Sequence, residues 1–192
     1  MTPAVGARQR ILDVAYRLFY ARGIRAVGVD LLIAESGVAK ATFYKYFPTK
    51  DALVLAYLDR VDEVWTAQLR AAAAAAGDAP AEQLVGLFGA LTTACSQDGY
   101  RGCGFINAAA ETPPGTPTHD RIVAHKQAVL AWVTELATQA GANSPDQLAR
   151  SLTLLLDGGL ANGALDANPA AATQAAQTAR ILVAQATGHA QS

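Results

Sequence analysis

Apolar residues along the chain recur at helical intervals almost from end to end. From Arg8 to Arg22, Ile11, Leu12, Ala15, Leu18 and Phe19 fall three and four apart, which predicts a helix with one buried stripe. Residues 1–7 show no such pattern and read as a tail, and Gly23 is placed to end the first helix. Ile24 and Val27 should pack beneath the segment that follows. Two short helices are predicted next, within 29–48. Asp51 then opens a long helix to about Ala76, with Leu53, Ala56, Leu58, Val61, Val64, Trp65 and Leu69 inward. A fifth helix is expected over Pro80 to Gln97, carrying Leu84, Val85, Leu87, Phe88 and Leu91, and a short one over Phe105 to Glu111. Thr116-Pro117 is a cap and first-turn pair for a seventh helix reaching about Ala140. Ser144-Pro145 starts an eighth and Asn168-Pro169 a ninth, which ends near Ala186. No period-2 strand pattern occurs, and alanine is abundant, so the expected class is all-α with about nine helices.

The stretch from Gly28 to Lys50, GVDLLIAESGVAKATFYKYFPTK, carries the most chemistry. Ile33, Ala34, Val38 and Phe43 sit where two short helices need apolar contacts, and Gly37 where a tight turn needs positive φ. Phe43 and Phe47 are four apart and share one face of the second helix. Lys40, Thr42, Tyr44, Lys45 and Tyr46 are left to reach outward. Pro48 stops the helix and Thr49 can cap the next. Such a helix fits the major groove of B-DNA. Thr42 can hydrogen-bond a base edge or touch a thymine methyl, and Lys45 can reach a guanine edge or a phosphate. Lys40 and Lys50, at the ends, suit phosphates. On this reading Lys45→Ala relaxes base preference, and Lys50→Ala weakens binding to every sequence alike. The same residues also fit a merely solvated amphipathic face; the turn glycine and the short helix before it favour DNA.

AESGVAKATFYKYFPTKDALVLAYL closely resembles the helix-turn-helix and following helix of TetR-family transcriptional regulators. The likeness is strongest over residues 8–60 and beyond residue 70 is mainly one of length and helical layout. It departs from the family where Gly28 and Val29 stand at the usual Ser or Thr cap. The resemblance implies a three-helix DNA-binding head over 6–66 and a helical ligand-binding and dimerisation body over 67–192. It further implies a ligand-responsive repressor that binds a palindromic operator as a homodimer. Tyr46 resembles a family position that bonds a phosphate oxygen.

Charge adds to this picture. Residues 1–60 hold nine basic and five acidic side chains, net +4; the remainder holds six and eleven, net −5. A basic head on an acidic body suits a polyanion at one end. With 52% hydrophobic and 16% charged residues the chain is globular and not disordered. Arginines interrupt any signal-peptide core and no apolar run is long enough to span a membrane, so a cytoplasmic location is expected.

The body offers no catalytic set. His119, His125 and His189 are scattered, Cys95 and Cys103 lack metal-ligand spacing, and no cofactor or metal is expected. Trp65, Phe88, Cys95, Phe105, Asn107, His125 and Trp132 are candidate pocket residues for an unidentified small molecule, with ordinary core or surface the competing reading of each. Leu148, Leu152, Leu155, Leu156, Leu160, Ile181 and Leu182 are candidates for a four-helix dimer interface; the leucines serve equally as a monomer's core. Cys103, between glycines and near Arg101, gives an alternative thiol-based redox or electrophile sensor. A helical carrier or enzyme is the alternative of a different class, though it would lack catalytic groups. Effector, operator sequence and the sign of regulation are not written in the sequence.

Overall fold

The computed structural model describes residues 6–166 and 170–188. Among these, all regular structure is helical, in ten segments: α1 (Ala7–Arg22), α2 (Val29–Ser36), α3 (Lys40–Tyr46), α4 (Lys50–Ala75), α5 (Pro80–Gly86), α6 (Gly89–Cys95), α7 (Gly104–Glu111), α8 (Pro117–Gln139), α9 (Pro145–Asp166) and α10 (Ala170–Ala186). The expected all-α class holds. Most of the expected tail, the Asn168-Pro169 helix start and His189 lie outside the described residues.

The single helix expected over Pro80 to Gln97 is two, α5 and α6. Between them Phe88 N–H bonds Val85 O and Ala90 N–H bonds Leu87 O, three residues back instead of four. Gly86 and Gly89 flank the break, and glycine weakens a helix interior. A Cβ at Gly86 would fall 2.3 Å from that of Ala76, so close approach to α4 requires glycine there.

The chain forms two compact units. The first holds the described residues up to Glu63 together with Gly104–Val123; the second holds Val64–Cys103 and Ala124 onward. This differs from the division expected near residue 66. The segment from Gly104 joins the first unit because it packs there. A Cβ on Gly104 would lie 3.2 Å from Val61 Cγ1 and 3.4 Å from the Tyr57 hydroxyl. Arg121 donates to Asp59 and Asp62, each at 2.7 Å.

In the first unit α1 buries the five residues its spacing predicts, Ile11, Leu12, Ala15, Leu18 and Phe19. Tyr57 of α4 packs edge-on against Tyr16 and Phe19, with centroids 5.9 and 5.5 Å apart. Thr49 caps α4 by accepting the Ala52 N–H at 3.1 Å, and Thr116 caps α8 by accepting that of His119 at 3.2 Å.

In the second unit α9 and α10 pack on each other, and both meet α6. Ala172, Ala175, Ala179 and Val183 are the buried face of α10. A Cβ at Gly159 would lie 2.4 Å from Leu91 Cδ2, and one at Gly163 2.4 Å from Cys95 Sγ. Small residues on α9 therefore set how near α6 lies. Leu148, Leu152, Leu156 and Leu160 are buried within this one chain. Their burial needs no second copy, so these four leucines serve the core of a single chain. Leu155 and Leu182 are half-buried. Val64, expected inward, is exposed, and the most exposed large apolar side chains among the described residues are Leu154, Leu165 and Ile181, at 75%, 80% and 58%.

Candidate nucleic-acid interface

The sequence makes α2 and α3 a rigid pair. Gly37 ends α2 at φ 63°, ψ 30°, in the left-handed region, with its N–H bonded to Ile33 and Ala34 carbonyls. No side chain caps α2; its N-cap is Gly28, at the point where the family pattern departs. Val38 and Phe43 are buried as expected, whereas Ala34 is exposed and Ile33 half-buried. Leu32, fully buried, takes the contact expected of Ala34. Leu32 and Ala34 are two positions apart, about 200° around the helix, so burying Leu32 turns Ala34 outward.

Phe43 and Phe47, 0% and 3% exposed, fasten α3 to the unit, with ring centroids 6.4 Å apart. The Arg8 guanidinium lies 5.4 Å from the Phe47 ring. Arg17 pairs with Glu35 at 2.8 Å, tying α1 to α2. Lys40, Tyr44, Lys45 and Tyr46 of α3 are exposed and Thr42 is half-buried, and the Tyr44 ring stands edge-on to Phe43 with centroids 5.5 Å apart. Among the described residues no ion pair involves Lys40 or Lys45, so both ammonium groups face solvent. Five side chains able to contact phosphate or bases thus stand on one short helix, and two phenylalanines hold that helix from behind.

Lys50 does not join them. Its Nζ donates to the Ile24 carbonyl at 2.6 Å and sits 6.0 Å from the Phe19 ring centroid. Burial holds its pKa below the usual lysine value, against the opposing pull of Glu111 and Asp51. The phosphate role expected of Lys50 gives way to an inward one: position N1 of α4 lies beside the 23–28 link, whose carbonyl needs a donor. Glu111, the last residue of α7, takes a role that its helix spacing does not announce. Its carboxylate accepts the Ile24 and Arg25 N–H groups at 3.0 and 2.7 Å. A helix-end acid before Thr112-Pro113 is the one trace the sequence gives of it.

The pocket candidates are divided between the two units. Phe105 and Asn107 fall in the first unit; Trp65, Phe88, Cys95, His125 and Trp132 fall in the second. Phe88 and Phe105 are fully buried, His125 is 2% exposed, and the Arg70 guanidinium lies 4.8 Å from the Trp132 ring centroid. An open hollow of about 320 Å³ lies instead between the start of α9 and the end of α10, lined by Ser144, Gln147, Ser151, Leu182 and Gln185 among others. Cys103 is buried, and the cation set against it is Lys126, whose Nζ lies 3.9 Å from Sγ while pairing with Asp157. Among the described residues no cluster of His, Cys, Asp or Glu could hold a metal, and no helix is long and apolar enough to cross a membrane.

Residues 11–57 match the family model for bacterial regulatory proteins of the tetR family. The fold superposes on SCO4454, a TetR-family transcriptional regulator from Streptomyces coelicolor, with a TM-score of 0.88. The two are 37% identical over 94% of this chain and 96% of that one. The HTH-type transcriptional regulator YjdC of Escherichia coli (strain K12) is 26% identical over 155 residues, 79% of this chain and 80% of its own length. A TetR transcriptional regulator from Chloroflexus aurantiacus shares the fold at 18% identity and a TM-score of 0.82, covering 93% and 94% of the two chains. With its helix-turn-helix inside the matched region and its likeness to SCO4454 extending over nearly both full chains, this chain belongs to the TetR family of transcriptional regulators, DNA-binding proteins and not enzymes.

Proposed function

We propose that the protein is a ligand-responsive repressor that acts in the cytoplasm as a homodimer on a near-palindromic operator. The observation that carries this reading is the set of polar side chains on α3, exposed Lys40, Tyr44, Lys45 and Tyr46 with half-buried Thr42, on a helix anchored by buried Phe43 and Phe47. In the major groove Thr42 and Lys45 read base edges, Lys40 and Tyr46 hold phosphates, and Tyr44 lies along the groove wall. One such helix spans about four base pairs, and each mismatch costs ~1–3 kcal/mol. Two heads double the contact set, which is why a dimer is needed.

The dimer surface is the outward face of α9 and α10. Leu154 and Leu165 are eleven residues apart, which brings them to nearly one azimuth of α9, and Ile181 stands exposed on α10. Half-buried Leu155 and Leu182 flank them. A small-molecule effector held by the body favours a spacing of the heads that does not match successive grooves, so binding it releases the operator. Selection from random duplexes tests the reading. A palindromic consensus bound by two chains supports it, and no enrichment over random DNA overturns it.

A further inference from the structure

We propose that Glu111 is a positioning residue for operator reading: its carboxylate clasps the link between α1 and α2 and so fixes where α2 and α3 stand. The proposal rests on the DNA-reading role of α3 given above. The link runs from Gly23 to Gly28 and holds one turn of its own, in which Val27 N–H donates to Ile24 O at 3.4 Å, so its other backbone groups need partners from elsewhere. Glu111 at the end of α7 supplies two, accepting Ile24 N–H at 3.0 Å and Arg25 N–H at 2.7 Å. Lys50 at the start of α4 supplies the third, donating to Ile24 O at 2.6 Å.

The peptide unit joining Ile24 to Arg25 is therefore held at both of its polar groups, Arg25 N–H by Glu111 and Ile24 O by Lys50, side chains from two other helices. Lys50 and Glu111 attract each other across it. The local backbone is shaped for this contact. Gly23 has φ +86°, and a Cβ there would lie 2.7 Å from Glu111 Oε1. Glycine at this position both ends α1 and leaves room for the carboxylate. Beyond the clasp, Val27 is fully buried and α2 begins at Val29. A shift at Ile24 is thus passed within five residues to the helix that sets the entry angle of α3. The clasp also explains why α7 belongs to the same compact unit as α1, α2 and α3.

Glu111→Gln keeps the size of the side chain but removes the charge and one of the two acceptors. Glu111→Asp keeps the charge and shortens the reach by one methylene. The test uses the full-length protein and reads hydrogen exchange at the Ile24 and Arg25 amides, the thermal midpoint, and affinity for both the selected operator and a random duplex. Glu111→Gln is expected to lose protection at those two amides and to bind the operator about tenfold more weakly, a loss of the size of one charged hydrogen bond. Its affinity for random DNA should be unchanged, and Glu111→Asp should recover part of the operator loss. Retained amide protection in Glu111→Gln would overturn the clasp. Lost protection with operator affinity unchanged, or with equal loss on random DNA, would overturn the positioning role. If the wild-type protein selects no operator, the DNA-reading role fails instead, and the amide measurement still decides whether the clasp exists.

Discussion

Lys45 and Lys50 look alike in the sequence, five residues apart in a basic stretch, yet the structure gives them opposite duties. Lys45 is exposed and its loss touches no fold contact. Lys45→Ala should therefore leave the thermal midpoint in place while flattening the difference between operator and random DNA; an equal loss on both would remove it from base reading. Lys50→Ala leaves the Ile24 carbonyl with only the longer bond from Val27 N–H, 3.4 Å, so it should lower stability by about 1 kcal/mol in a denaturant titration. An unchanged midpoint would mean the 2.6 Å bond contributes nothing. Asp13 gives a pH test. Burial pushes its carboxyl up, but hydrogen bonds from Arg60 and Gln9 and the charge of Arg60 outweigh that and hold it below the ordinary value of 3.8. A lowered carboxylate pKa stabilises the fold fully above that ordinary value and loses the effect as pH falls through the depressed one. Thermal midpoints of wild type should thus fall more steeply than those of Asp13→Asn between about pH 4 and pH 2; parallel curves would show that the pair adds nothing.

Helices with a periodic stripe and a chemical stop could be read from the sequence almost residue by residue. α1 buries the five side chains its spacing marks, and Thr49, Thr116 and Gly37 cap or turn where their chemistry requires. What the sequence hid depends on neighbours far along the chain. The break between α5 and α6 reflects the closeness of α4 at Gly86, and α9 has glycines because α6 lies against them. The leucine row of α9 is ambiguous by nature, since a stripe announces burial but not whether the cover is the same chain or another. Lys50 and Glu111 meet at Ile24 from positions 61 residues apart, and no local pattern encodes that meeting. Two substitutions test these elements. Gly37→Ala meets open space but forces a left-handed conformation, so it should cost about 1 kcal/mol. Gly163→Ala drives a methyl into Cys95 Sγ and should cost ~1–3 kcal/mol by overpacking, visible in chemical denaturation. A neutral result at Gly163 would mean that α6 is free to move away.

For the whole molecule, the proposed operator reading requires two copies held together. The double variant Leu154→Lys, Ile181→Lys should sediment as a monomer and lose operator affinity far more than affinity for random duplexes. A dimer that survives both changes would place the interface elsewhere. The charge distribution makes the most direct test of the central claim, that α3 meets the phosphates and base edges of duplex DNA. Lys40, one copy per head, displaces about two counterions, so the logarithm of operator affinity should fall against the logarithm of salt concentration with a slope of roughly −2 or steeper. Titrating the selected operator with purified protein across a range of salt gives that slope. A negative slope of that size that becomes shallower in Lys40→Ala is the predicted result; a flat response to salt would contradict the account.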